Sequence, residues 1–322
     1  MMSRFIPCLF VSGLMILGTT VATAQNYPSK PVHIVAGDAG GGGDLVARIL
    51  APGLAISLGQ PVIIENRGGA GGIIAAQAVV KALPDGHTVL LYGNGLWLLP
   101  FLRDDVPFDP VKDFTPITLA TRSPNILVVH PSLPVKSVRE LIAYAKARAG
   151  ALNYASSGTG SSDHLAAELF KSLGGGESVR VNYKGTATAL TGVISGGVQL
   201  MFPSAGSAAP HIKAGRLRAL AVTTAQPSAI APGVPTIASS GLPGYECGQS
   251  LGILAPARTS APIVNRLNQE LVRVLGSAEV TERFFNAGVE SVGNSPQEFA
   301  AAIKSDMSIW GKVIKDAGIR DN

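Results

Sequence analysis

Three times along this chain a short apolar strand runs into a loop of glycines and small polar residues, and a helical pattern follows. The first junction is VHIVA, then Gly37 to Gly43, with Asp44 opening a helix. The second is VIIEN, then Gly68 to Gly72, then IIAAQAVVKAL. The third is LNYA, then Ser156 to Ser162, then DHLAAELFKSL. A strand that feeds a helix through a tight loop is the repeating unit of an α/β fold. Each junction also leaves free backbone N–H groups at a helix start, where the peptide dipoles favour an anion. Three of them together point to a pocket that grips a small anionic molecule mainly with backbone.

The alternation continues for most of the length. Strands are expected at Val32–Ala36, Val62–Glu65, Thr88–Tyr92, Ile126–Val129, Val198–Phe202 and Leu217–Val222. Ser137 with Glu140, and Ser295 with Pro296 and Glu298, carry helix-start signatures. After the second of these, Phe299, Ile303, Met307, Trp310 and Ile314 form one apolar stripe. Pro52-Gly53 is expected to end or kink the first helix. Gln226 to Gly244, with four prolines, reads as a surface loop.

The beginning of the chain reads as an address. Arg4, the apolar stretch Phe5 to Gly18 and the Ala22-Thr23-Ala24 site form a secretory signal peptide cleaved after Ala24. Cleavage leaves about 300 residues, enough for two domains or one large one. It also removes Cys8, so Cys247 is the single cysteine of the mature chain and no internal disulfide can form. The net charge of +5 is scattered and aromatics make up only 6% of the chain, which argues against nucleic-acid binding.

Signatures of catalysis are missing from the sequence. It contains no strict G-x-G-x-x-G fingerprint, no phosphate-binding P-loop and no G-x-S-x-G nucleophile elbow. The five histidines are dispersed without metal-ligand spacing, so no catalytic residue, metal or cofactor is expected. Asp44 suits a structural cap that fixes its loop, because a carboxylate beside an anion site repels the ligand. The hydroxyls of Ser156, Ser157, Thr159, Ser161 and Ser162 suit a carboxylate, each neutral hydrogen bond adding about 0.5–1.5 kcal/mol. Two other readings stay open. One is an exported serine hydrolase with His164 as base; the other is a ligand sensor that signals to a membrane sensor kinase.

At these loops the chain resembles the substrate-binding proteins of tripartite tricarboxylate transporters, also called the Bug family. The resemblance runs from about Tyr27 to Gly318 and rests on an ordered set of pieces. They are GGGGDLVAR, GQPVIIENRGGAGG, LNYASSGTGSSDHLAAELF, NYKGTATAL, PHIKAGRLRALAVT and GNSPQEFAA. It implies an α/β, periplasmic-binding-protein-like (type II) Venus flytrap, with two lobes of mostly parallel sheets joined by two crossover strands. Lobe 1 would comprise residues 25–125 and 223–322, and lobe 2 residues 126–222. The implied protein is a monomeric periplasmic receptor without catalytic chemistry. It would capture a small carboxylate and deliver it to the membrane permease subunits of such a transporter.

Carried over residue by residue, the resemblance puts Ser156, Thr159, Gly160 and Ser161 at a carboxylate clamp. Ala39, Gly40 and Gly41, with Gly69, Ala70 and Gly71, would line the opposite wall, and Lys184 and Thr186 the pocket edge. The chain departs from the family pattern at Ala36, Gly37, Asp38, Gly43, Ile73, Asn182 and Pro203. Losing an aromatic wall while gaining Asp38 and Ile73 changes both volume and polarity. The ligand can therefore be larger, partly apolar or cationic at one end.

Overall fold

The computed structural model describes residues 27–320 apart from Asp38, Ala149 and Lys184. The expected signal peptide, Asp38 and the pocket-edge Lys184 lie outside the described residues.

From the start, β1 (Val32–Ala36) leads into α1 (Gly42–Leu58), then β2 (Val62–Asn66), α2 (Ile73–Val80), β3 (Thr88–Gly93) and α3 (Gly95–Leu102). A long β4 (Phe114–Pro124) is followed at once by β5 (Ile126–Val129) and α4 (Val138–Ala147). Next come β6 (Asn153–Ser156), α5 (Ser162–Phe170), β7 (Val179–Asn182), α6 (Thr186–Ile194), β8 (Leu200–Met201), α7 (Ala205–Lys213) and β9 (Arg218–Val222). The chain closes with β10 (Gly248–Pro256), α8 (Ala261–Leu275), α9 (Ala278–Asn286), β11 (Glu290–Ser291) and α10 (Pro296–Asp316).

These strands form two sheets, with order β11-β4-β10-β3-β1-β2 in one and β7-β6-β8-β5-β9 in the other. The α/β class stands, but the sheets are mixed rather than mostly parallel. β1 pairs in parallel with β2 and β3, whereas β10 runs antiparallel to β3 and β4. In the second sheet β6 is parallel to β7 and β8, and β5 is antiparallel to β8 and β9. In the first sheet the difference comes from β4 and β10, which the apolar pattern does not reveal, and in the second from β5, whose direction the pattern does not fix. β4 contains Pro116 and ends on Pro124, and its pairing with β10 shifts register between Ile253 and Leu254, beside Pro116. A proline cannot donate to the ladder and is tolerated where the register breaks.

The chain passes from the first sheet to the second between Pro124 and Ile126, and leaves the second after Val222. The two passages touch. Asn125 N–H donates to Thr223 Oγ1, Thr223 N–H donates to Asn125 O, and both residues are fully buried. Residues 224–247 lie against the second sheet's helices: Tyr245 O–H donates to Ala166 O at 2.8 Å, and Ile237 and Tyr245 are buried.

Packing follows helix amphipathicity. On one face of the first sheet Val46, Leu50 and Leu54 of α1 meet Leu267, Leu271 and Phe284 of α8 and α9. On the other, Trp97 of α3 and Phe299 of α10 pack edge to face, ring centres 5.8 Å apart. The full capping box at Ser295 and Glu298 starts α10, and its stripe is buried as expected except for the half-buried Met307. α1 does not end at Pro52; it continues to Leu58 and stops at Gly59, whose left-handed backbone donates to Ala55 O. Asp44 is the third residue of that helix, not its cap; Gly41 occupies the cap position.

Candidate functional site

A cavity of about 380 Å³ opens where the loops of both sheets meet. From the first sheet it takes Gly37 and Gly41 to Gly43 after β1, the end of β3 with Asn94, and Gln249 and Leu251 of β10. From the second it takes Ser157 and Thr159 to Asp163 after β6, Thr186 at the start of α6, and Pro203 and Ser204 after β8. Asn125, at the passage between sheets, also lies on its wall. Most of these positions follow strand ends and precede helices, the usual place of a ligand crevice in α/β folds. Helices α1, α5 and α6 all start at the cavity.

Of the positions suggested by sequence, Gly41, Gly71, Thr159, Gly160, Ser161 and Thr186 line this cavity together. Ala39, Gly40, Gly69, Ala70 and Ser156 do not line it. Gly40 sits behind Gly41 with its N–H donated to Asp44 at 2.9 Å, and Ala70 occupies a left-handed turn beside Gly71. Ser156 is fully buried, and its hydroxyl faces Arg180, whose Nε donates to it at 2.7 Å. It belongs to the last position of β6, where side chains alternate between faces, so its hydroxyl points beneath the loop.

The serine loop is tied down from several sides. Arg180 Nη2 donates to Thr159 Oγ1 at 3.2 Å, and Gly160 N–H donates to His164 Nδ1 at 3.1 Å. Asp163, nearly fully buried, accepts from the N–H and the hydroxyl of Ser157 at 2.8 and 3.0 Å, from the hydroxyl of Ser161 and from His164 N–H. Burial pushes the Asp163 carboxyl up, while these hydrogen bonds pull it down. Burial lowers the His164 imidazole to about 4, so it is neutral and acts as an acceptor toward Gly160. Its Nδ1 is thus committed to a backbone amide rather than to a loop hydroxyl. The Cys247 thiol is buried, which pushes its pKa up, and it faces Ser162 O.

The opposite wall is built from glycines and apolar side chains. Asp44 turns away from the cavity onto Gly40 N–H, Arg48 and Asn66, and these bonds, Arg48 first, hold its carboxyl down to about 2. Tyr92 supplies an aromatic ring that sequence reasoning missed. A Cβ on Gly72 would stand 2.3 Å from that ring, and one on Gly37 3.3 Å from it. Glycine at 72, with φ of +101°, thus makes room for the ring of Tyr92 from β3. Leu99 and Leu102 of α3 complete the apolar side, and Leu102 reaches across to Gly160, where a Cβ would come within 2.5 Å. Asn94, Asn125, Ser157, Asp163, Ser204 and Gln249 are further polar lining residues. Ser157 lay within the serine run read from sequence. Asp163 opens the helix that follows that run, and the others come from strand ends that carry no local motif.

Comparison with known proteins agrees with this architecture. Residues 46–319 match the family model described as tripartite tricarboxylate transporter family receptor. Protein BugT of Bordetella pertussis is 34% identical over 322 residues, covering 97% of this chain and 98% of the relative. The solved structure of R. palustris Rpa4515 with adipate superposes with a TM-score of 0.80 at 38% identity, covering 91% of this chain and 99% of that one. MatC from Rhodopseudomonas palustris, with bound malate, gives a TM-score of 0.76 at 32% identity, covering 89% and 100%. Sequence, fold and cavity together place the chain in the tripartite tricarboxylate transporter receptor family.

Proposed function

We propose that the mature protein is a monomeric periplasmic receptor that encloses a small carboxylate-bearing solute between two lobes. It then presents the solute to the membrane permease subunits of a tripartite tricarboxylate-type transporter. The observation that carries this reading is the convergence of three helix starts, α1, α5 and α6, on one small cavity fed by both sheets. Unpaired N–H groups at a helix start suit an anion without any cationic side chain. Adipate and malate in the two solved relatives support an acid of this size.

In this reading residues 25–125 and 223–322 form lobe 1, residues 126–222 form lobe 2, and residues 1–24 direct export. The strand membership of the two sheets supports that division, with 224–247 laid across the second lobe. Gly41, Gly71, Thr159, Gly160, Ser161 and Thr186 touch the solute. Ala39, Gly40, Gly69 and Ala70 hold the backbone of the first wall, and Ser156 with Arg180 supports the serine loop from beneath. The solute contacts both walls only in the closed form and therefore shifts the population toward closure. No covalent step is involved, and no cofactor or metal is required.

Calorimetric titration of the mature, ligand-free protein with small carboxylic acids tests the proposal. The expected result is micromolar binding of at least one acid, about −8 kcal/mol. Thr159→Val, which removes a hydroxyl hydrogen that no bond within the loop consumes, is expected to weaken it by about threefold to tenfold. Failure of every acid to bind below the millimolar range would overturn the receptor reading.

A further inference from the structure

Resting on the receptor reading above, we infer that Arg180 is a positioning residue that makes the cavity select an ionised carboxylate over its neutral amide. It acts through Thr159, whose hydroxyl it turns into a committed donor toward the solute.

Counting hydrogens around the serine loop singles out Thr159. A hydroxyl carries one hydrogen. That of Ser157 goes to Asp163 at 3.0 Å, that of Ser161 to Asp163 or Gly158 O, and that of Ser156 to Asn182 Oδ1 at 3.3 Å. Thr159 differs. Its Oγ1 accepts from Arg180 Nη2 at 3.2 Å, and no acceptor among the described residues takes its hydrogen. Thr159 lines the cavity, so that hydrogen is left for a solute oxygen. Ser162, also on the wall, keeps its hydrogen as well, but its oxygen accepts from the neutral Asn125 amide at 3.3 Å. Of the two, only Thr159 has a cation at its back.

The strand holds Arg180 in place for this. Arg180 and Asn182 share one face of β7, which runs parallel to β6 with Ser156 opposite Asn182. Nε donates to Ser156 Oγ at 2.7 Å, and Nη2 divides its two hydrogens between Asn182 Oδ1, at 3.0 Å, and Thr159. Asn182, one of the positions at which the chain departs from the family pattern, thereby anchors the guanidinium.

The charge on Arg180 is unmatched. Glu168 is paired with Lys171 at 3.0 Å, and Asp163 is engaged by Ser157, Ser161 and His164. Among the described residues no carboxylate pairs with the half-buried Arg180, whose bonds go to neutral oxygens. A guanidinium withdrawn from water ordinarily has an anionic partner. Its field reaches the loop: burial first, and the Arg180 charge second, hold the His164 imidazole down at about 4. The described lining residues include no lysine or arginine. A carboxylate that accepts from Thr159 therefore stands one hydroxyl away from the unmatched cation, and hydrogen bonds in series polarise one another. A neutral amide at the same place gains the hydrogen bond but not the charge.

Calorimetric titration of the mature protein with small carboxylic acids, among them succinate, glutarate, adipate and malate, tests this. The tightest acid is compared with its diamide, and wild type is expected to prefer the acid by about tenfold or more. Arg180→Gln keeps a donor but loses the charge. It is expected to weaken the acid about tenfold and the diamide by less than about twofold. Arg180→Lys, which keeps the charge, should recover most of the acid's affinity. Thr159→Val should cost less in the Arg180→Gln background than in wild type, because the two residues act in series. Additive losses overturn the route through Thr159. Acid affinity unchanged in Arg180→Gln, or acid and diamide weakened equally, overturns the assignment, as does an Arg180→Lys protein no better than Arg180→Gln. So does a wild type that binds the diamide as tightly as the acid, a result that needs no variant to fold. Each of these outcomes leaves the receptor reading standing, since wild type still binds the acid. If no acid binds wild type, the receptor reading fails and this assignment fails with it.

Discussion

His164 and Asp44 hold the two sides of the cavity by opposite uses of a titratable group. His164 stacks on Tyr154 and accepts Gly160 N–H, and burial first, then the Arg180 charge, lowers its pKa to about 4. In the unfolded chain an ordinary histidine takes its proton near pH 6.5. The folded form resists protonation, so the stability tied to neutral His164 is complete above about pH 6.5 and is lost as pH falls toward 4. The loss amounts to at most about 3 kcal/mol. Thermal melts across that range are expected to show a steeper fall for wild type than for His164→Asn, whose amide oxygen can still accept from Gly160. Parallel curves would remove His164 from the account. Asp44 works the other way: its carboxyl is held low, so its bonds to Gly40 and Arg48 persist until strongly acid pH. Cys247 belongs to the same scale. Its buried thiol is expected to stay unlabelled by an alkylating reagent in the native protein and to react fully once the chain is unfolded in denaturant.

At the scale of elements, α3 couples one wall to the other. Leu102 lies against Gly160, whose φ of +73° already disfavours a side chain. Gly160→Ala is therefore expected to cost about 1–3 kcal/mol by thermal unfolding and to weaken ligand binding. Adding Leu102→Ala should recover part of the loss, because it removes the clash but not the backbone strain. The glycine junctions and the serine run were legible in sequence, since their loop composition and the helical periods after them are local signals. β4 and β10 were not. Their prolines and their register shift make sense only once the two strands are paired. Tyr92, Asn125 and Gln249 escaped for a related reason: each reaches the cavity through topology, from a strand or passage distant from the motif loops. Ser156 does not line the cavity, and a seven-residue run with five hydroxyls does not by itself show which of them lie beneath the strand end.

For the molecule as a whole, the decisive feature is that two mixed sheets meet at one narrow passage, where Asn125 and Thr223 bond to each other. Thr223→Val removes the hydroxyl that accepts Asn125 N–H and leaves that buried donor unpaired, at a cost of about 1–3 kcal/mol. Lower melting temperature with altered ligand affinity is the expected outcome, and an unchanged affinity would confine the pair to a structural role. The central claim is that one small acid is held by loops of both sheets at once. Hydrogen–deuterium exchange with and without the best-binding acid tests it most directly. The account predicts that ligand slows exchange together in the segments around Gly41 to Gly43, Gly69 to Gly72 and Ser157 to Asp163. Protection confined to the loops of one sheet, or absent from all three segments at saturating ligand, would contradict it.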